Sequence, residues 1–242
     1  MRHDSKTKIL KVSKIKKLFS RRFYYLSNSV EIFFDNGRAY FFNFYSEENQ
    51  SEFIKTLLKI NQNIISILNP IKDFRNSNLL EKWQRREIST FEYLMHLNVY
   101  SGRSSNLIFQ YHIFPWILME YKTPNIDFNQ HDNFRSFQDP IGCLNKKTKE
   151  ICKEKYNDFE DQYVPKFHHG THYSTYGHIL YYLIRLSPFT ELAKDLQGGK
   201  IDLADRLFSE IESTWNACLN SMGDVKELIP EFFFLPLFLN NM

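Results

Sequence analysis

The residue types best able to bind a metal or move a proton fall in one run, Phe167-His168-His169-Gly170-Thr171-His172-Tyr173. His168 and His172 stand four apart, a spacing that puts two imidazoles on one helical face and suits zinc. The metalloprotease pattern needs Glu at position 169, where this chain has His, and Gly170 weakens any helix across the run. No carboxylate stands at an evident third-ligand spacing. Structural histidines that hydrogen-bond irregular backbone are the favoured reading, and no metal is expected.

The other reactive groups are weaker. Cys143, Cys152 and Cys218 form an odd set with no C-x-x-C pair. Neither a disulfide framework nor a zinc ribbon follows, and a reducing compartment is the simpler reading. Leu196-Gln197-Gly198-Gly199-Lys200-Ile201-Asp202 lacks the first Gly of a phosphate loop, and Ile follows its Lys. A Gly-Gly turn between two helices, with Asp202 capping the second, explains it with less. No G-x-S-x-G elbow supports a hydrolase triad. The rings over 109–121 carry no Lys or Arg between them, so a nucleic-acid track is not expected. These residues point to a non-enzymatic interaction protein with no cofactor.

The elements that must hold such a surface begin with a β segment. Strands are expected over 22–26, 30–34 and 38–44, with Asp35-Asn36-Gly37 closing a hairpin because Asn and Gly tolerate positive φ. Ser46 is the expected N-cap of a helix over 47–60, whose stripe is Phe53, Leu57 and Ile60. Residues 61–78 read as an Asn-containing connector with Pro70. A helix follows over 79–87, and Ser89 with Glu92 makes a capping box that starts another, through about 100. Residues 103–146 combine many rings with Pro115, Pro124 and Pro140. They read as extended, irregular backbone packed by aromatics, whose polar groups must find partners elsewhere. Helical patterns resume over 147–157, 173–186, 189–196 and 202–220, the last with a stripe of Leu203, Leu207, Ile211, Trp215 and Cys218. Asp224 and Glu227 read as the cap of another short helix. The apolar tail 232–239 suggests a chain cut short, whose remainder would cover that surface.

The bulk numbers agree with a folded body of this kind. The chain has 242 residues, 43% hydrophobic and 24% charged, with 23 Phe, 14 Tyr and only four Ala. Disorder, collagen and a pure coiled coil are excluded, and the core is expected to be built from rings. No apolar run is long enough to span a membrane. Residues 1–22 carry a net +8 and the remainder −5, so the +3 total reflects a basic N-terminal segment. Such a segment can meet anionic lipid or nucleic acid through phosphate contacts, although charge runs are usually solvated faces.

The order of longer motifs adds a resemblance. Trp83-Gln84-Arg85-Arg86-Glu87-Ile88-Ser89-Thr90-Phe91-Glu92-Tyr93-Leu94 resembles the opening of a BEACH domain. The same order continues through Gly102-Arg103-Ser104, Gln110-Tyr111, Phe114-Pro115-Trp116, Phe134-Arg135, Pro140-Ile141-Gly142, Gly170-Thr171-His172-Tyr173-Ser174, Pro188-Phe189-Thr190, Leu196-Gln197-Gly198-Gly199-Lys200 and Asp224-Val225-Lys226-Glu227-Leu228-Ile229-Pro230-Glu231. Residues 14–60 resemble the second half of the pleckstrin-homology-like domain that precedes BEACH. Arg86, Leu107, His112 and His169 depart from the family, which usually has Gly, Asp, Pro and Tyr there.

The resemblance implies an α+β chain. A partial PH-like β module with its C-terminal helix spans 1–66, a linker 67–78, and a mostly α BEACH domain with an irregular extended core, truncated at its C-terminus, 79–242. It implies a cytoplasmic scaffold, peripheral to intracellular membranes. That scaffold would serve vesicle traffic, lysosome or endosome function or autophagy through protein partners of the trafficking machinery and an intramolecular PH-BEACH contact. WD repeats often accompany the domain. No nucleic acid and no catalytic residues are expected. The residues expected at the intramolecular groove and its partner surface are Arg22, Trp83, Arg103, Gln110, Trp116, His172, Tyr173, Lys226 and Glu231. Direct binding of anionic lipid by the basic N-terminal segment is the alternative.

Overall fold

The structure, a computed structural model, describes residues 8–169 and 173–239 and divides into two compact units, 1–107 and 108–242.

In the first unit β1 (Ile15–Phe23), β2 (Leu26–Phe34), β3 (Ala39–Asn43) and β4 (Ile65–Ile67) form one sheet in the order β3-β2-β1-β4. The β1–β2 and β2–β3 pairs are antiparallel, and β4 lies parallel to β1. The Asn36-Gly37 hairpin forms as its sequence dictates, with Gly37 at φ +78°. The expected strand over 22–26 does not form. Tyr24 and Tyr25 both take positive φ and make the turn between β1 and β2, the geometry a two-residue hairpin needs to match strand twist. The supposed connector also holds structure, namely β4 and α2 (Pro70–Arg75), which Asn69 caps by accepting from Lys72 N.

One sheet face packs on α1 (Glu47–Ile60), whose N-cap is Ser46 as expected. Ile15, Leu18, Val30, Ile32, Phe34, Ile54, Leu57 and Ile64 make that core. Ile60 lies outside it, exposed at the helix end, and Ile54 takes its place on the buried stripe. The opposite face presents Phe19, whose ring meets Phe33 and Tyr100 edge-on. Because both faces are covered, β2 is buried at Asn28 to Ile32 without alternation. Tyr100 ends α4 (Thr90–Tyr100), which opens on the expected Ser89–Glu92 capping box. The preceding α3 (Leu79–Gln84) stops earlier than expected. Arg86 N–H donates to Trp83 O and Glu87 N–H to Lys82 O, with Arg86 at φ +60°. These two bonds close a Schellman motif that ends the helix at Gln84.

In the second unit residues 108–145 carry only 3-10 turns at Ile108–Gln110, His131–Asn133 and Ile141–Cys143 among the described residues. Their backbone finds long-range partners, as the sequence requires. Phe114 bridges Leu228, and Leu118 bridges Phe134. The packing expectation holds for Phe114 and Trp116, which are buried, but Phe128 and Phe137 are exposed. Helices α5 (Lys146–Asp158), α6 (Tyr176–Tyr182), α7 (Phe189–Leu196), α8 (Ile211–Asn220) and α9 (Glu231–Phe234) follow. α7 matches its expected range. α6 and α8 are shorter than the sequence pattern, and Leu203 is exposed instead of lining a stripe. The Gly198-Gly199 turn forms with both φ positive, and Asp202 accepts from Leu203 N ahead of a single 3-10 turn.

The expected helix at 224–227 is absent, because its polar groups are engaged by distant partners. Lys226 O accepts from Trp116 Nε1, and Glu227 pairs with Arg135. The core of this unit comprises Ile179, Tyr182, Leu183, Ile184, Phe208, Ile229 and Phe238. The apolar tail is only partly bare. Phe232 packs edge-on against Tyr182 and Phe238, whereas Phe233, Phe234 and Leu237 are exposed.

Candidate functional site

Alternation along β1 turns Arg21 inward and leaves Arg22 exposed. Arg21 donates through Nε to Glu31 Oε2 at 2.9 Å, its Nη2 lies 2.7 Å from the same oxygen, and its Nη1 donates to Val99 O at 2.6 Å. Both side chains are 2% exposed. Burial pulls the Arg21 guanidinium below its ordinary value, while Glu31 pushes it back up. Glu31 Oε1 accepts from Ser104 Oγ and from Asn106 Nδ2. One buried carboxylate thus ties the far face of the sheet to the chain after α4. A buried charge is tolerable when its lone pairs are filled in this way.

Within the same unit, Trp83 stacks on Tyr93 at 4.9 Å with planes 9° apart, and donates through Nε1 to Thr90 Oγ1. Both rings are half-buried, and a cavity of about 680 Å³ runs along Trp83, Gln84, Arg86, Glu87 and Thr90. Arg103 is half-buried, and its N–H donates to Asn98 O.

The second unit has its own buried pair. Arg135 Nη1 lies 2.7 Å from Glu227 Oε2, and Trp116 N–H donates to the same oxygen. Glu227 N–H donates to Ser174 Oγ, and Trp116 is fully buried. Lys226 is buried against Asp224 with its Nζ 4.7 Å above the Tyr181 ring. Glu231 is buried and accepts from the Tyr111 hydroxyl at 2.6 Å, and burial raises its carboxyl above the usual range. Gln110 is half-buried at the end of its 3-10 turn, and Tyr173 is 47% exposed. His172 lies outside the described residues.

Of the expected site residues, the structure gives Trp116, Lys226 and Glu231 to the interior and Arg22 and Tyr173 to the surface. The residues that carry most of the buried polar bonding are Arg21, Glu31, Arg135 and Glu227. Sequence reasoning did not select them, since no local spacing marks partners 10 or 92 residues apart. A charged residue inside a β-forming run was the only available signal for Arg21 and Glu31.

The described residues also contain one metal-competent group. Cys143 Sγ lies 3.6 Å from His169 Nε2, and Cys152 Sγ lies 3.9 Å from Nδ1 of the same ring. Donor atoms of the three residues all fall within 4.8 Å of one another. Burial, with Cys152 beside it, raises the Cys143 thiol to about 11. Burial and the neighbouring His168 lower the His169 imidazole, which favours its neutral form. His168, the other member of the spacing pair, instead packs edge-on against Tyr156. The buried Cys218 thiol is raised to about 12 and donates to Lys226 O.

Comparison with known proteins agrees with the motif order. The family profile described as the Beige/BEACH domain matches residues 81–242, and the one described as the PH domain associated with Beige/BEACH matches 1–58. The chain is 39% identical to "BEACH domain-containing protein B" of Arabidopsis thaliana over 96% of its own length and 9% of the relative's. It is 37% identical to a "Putative neurobeachin homolog" of Caenorhabditis briggsae over 95% of this chain and 9% of that one. The Caenorhabditis elegans protein of the same description is 36% identical, over 95% and 10%. The chain therefore spans about a tenth of the length of these relatives.

Proposed function

The chain belongs to the Beige/BEACH family, and from that premise we propose that it works as a non-enzymatic scaffold in vesicle and membrane traffic, through protein–protein contacts. The observation that carries the proposal is how its buried charges are spent. Arg21, Glu31, Arg135 and Glu227 all bind one another, neighbouring side chains or backbone. Charges consumed in this way build a rigid support and leave no free acid–base pair among them. Recognition is then left to half-buried and exposed groups, with the stacked Trp83–Tyr93 pair, Arg103 and Tyr173 as the aromatic and Arg anchors that interfaces favour.

On this reading the chain is cytoplasmic and peripheral to intracellular membranes, and its cargo belongs to the lysosomal, endosomal or autophagic routes. No helix among the described residues is long and apolar enough to cross a membrane. The domain assignment follows the same reading, with the PH-like module over 1–66, a linker over 67–78 and the BEACH domain from 79. The Glu31 cluster supports an intramolecular PH-BEACH contact, because it joins the sheet to Val99, Ser104 and Asn106. Tagged intact protein is expected to lose its partners on Arg103→Ala or Tyr173→Ala while circular dichroism stays unchanged. Full retention of every partner by both variants overturns the proposal.

The second reading, direct attraction to anionic lipid, is favoured by the exposed Lys11, Lys14, Lys16 and Arg22 within the +8 segment. Flotation with phosphatidylserine vesicles at low and high salt tests it. Binding that salt weakens supports it, and absence of binding at low salt removes it.

A further inference from the structure

We propose that Cys143, Cys152 and His169 form a binding site for a thiophilic divalent cation, zinc being the natural occupant. The site draws on three separate stretches. Cys143 ends the 3-10 turn Ile141–Cys143, Cys152 sits mid-way along α5, and His169 follows the irregular stretch after that helix. The donor set is two sulfurs and one imidazole nitrogen, the chemistry zinc selects. Tetrahedral zinc, with bonds of about 2.0–2.3 Å, separates its ligand atoms by about 3.5–4 Å. Both sulfurs and one nitrogen of His169 lie within 4.8 Å of one another, so a small inward shift of the side chains brings them to that range.

Packing holds the ring in place. A Cβ built at Gly142 would stand 2.5 Å from His169 Cε1 and 2.7 Å from Val225 Cγ1, so the imidazole rests directly on glycine backbone. Cys152 is 1% and Cys143 7% exposed, which screens the sulfurs from bulk water and oxidants. His169 is only half-buried and leaves a route for the ion. Capture replaces two S–H bonds by two metal–sulfur bonds and releases both protons to solvent. A dication with two thiolates then adds no net charge to the buried sulfurs' surroundings. Water completes the fourth position. The ion pins the 3-10 turn, α5 and the segment that carries His169 to one point. The site uses His169 and neither of the two histidines that helical spacing picks out.

The full chain, expressed with zinc in the medium and purified without chelator, is expected to hold one zinc per chain by plasma mass spectrometry. Cobalt exchanged into it is expected to give a thiolate-to-cobalt charge-transfer band and tetrahedral visible bands. Cys143→Ser, Cys152→Ser and His169→Ala are each expected to lose both signals, and Cys218→Ala to keep them. Should those variants fail to fold, alkylation of the unaltered chain decides. Cys143 and Cys152 are expected to resist iodoacetamide until a chelator is added, with Cys218 indifferent to it. Metal far below one per chain with no cobalt band, or a Cys143–Cys152 disulfide in the folded protein, overturns the proposal.

Discussion

Arg135 and Glu227, 92 residues apart, meet as a buried ion pair in which one guanidinium nitrogen contacts both carboxylate oxygens, at 2.9 and 2.7 Å. Their side chains are 5% and 6% exposed. Removing one partner strands the other charge. Arg135→Ala is therefore expected to destabilise the chain by about 3–5 kcal/mol. The double variant Arg135→Met/Glu227→Leu, which buries no charge, is expected to recover most of that loss. Urea unfolding of the three proteins checks both statements, and a double variant no better than the single one contradicts the account.

Arg86 occupies the left-handed position that closes α3, a place where BEACH sequences usually have Gly. A side chain there costs roughly 1 kcal/mol relative to Gly. Arg86→Gly is expected to raise the denaturation midpoint while leaving the backbone unchanged. A midpoint that falls shows that the Arg side chain contributes more than the strain it causes.

Glu231 gives a pH signature. Burial holds its folded-state carboxyl above the unfolded value, with the Tyr111 hydroxyl as an opposing influence. Its contribution is therefore full below the unfolded value and is lost as pH rises through the folded one. Glu231→Gln, which stays neutral, is expected to flatten the decline in melting temperature as pH rises above the ordinary carboxylate range. Thermal melts of both proteins across that window provide the comparison, and parallel curves refute the assignment.

Gly142→Ala adds one methyl group where His169 and Val225 already stand closer than a Cβ tolerates. Overpacking of this kind costs about 1–3 kcal/mol. The variant is expected to displace the His169 imidazole, read as a shift of its ring resonances by NMR. Unchanged resonances mean that the ring does not rest on the glycine.

Local chemistry was legible in the sequence wherever the partners are near neighbours. The Ser46 cap, the Ser89–Glu92 box, the Asn36-Gly37 turn and the range of α7 all rest on bonds spanning a few residues. Motif order also placed the chain in its family. What failed was decided at long range. Tyr24 and Tyr25 look like strand residues, yet the pairing of Arg21 with Ser29 and of Phe23 with Leu26 forces them into the turn. β4 is three residues long and acquires its identity only by lying beside β1. Asp224 and Glu227 have the spacing of a helix cap, but Lys226 and Arg135 claim them instead. Cys143, Cys152 and His169 follow no motif spacing at all and meet only because the chain after α5 returns to that helix.

Phe114 bridges Leu228, which sets an order of events during synthesis. The polar bonds of Glu31 are complete once Asn106 has left the ribosome, so the first unit can consolidate while translation continues. Trp116 must wait, since Lys226 and Glu227 lie 110 and 111 residues further along the chain. A chain that stops between Trp116 and Lys226 is expected to leave that indole without its acceptor and its apolar surface open to aggregation.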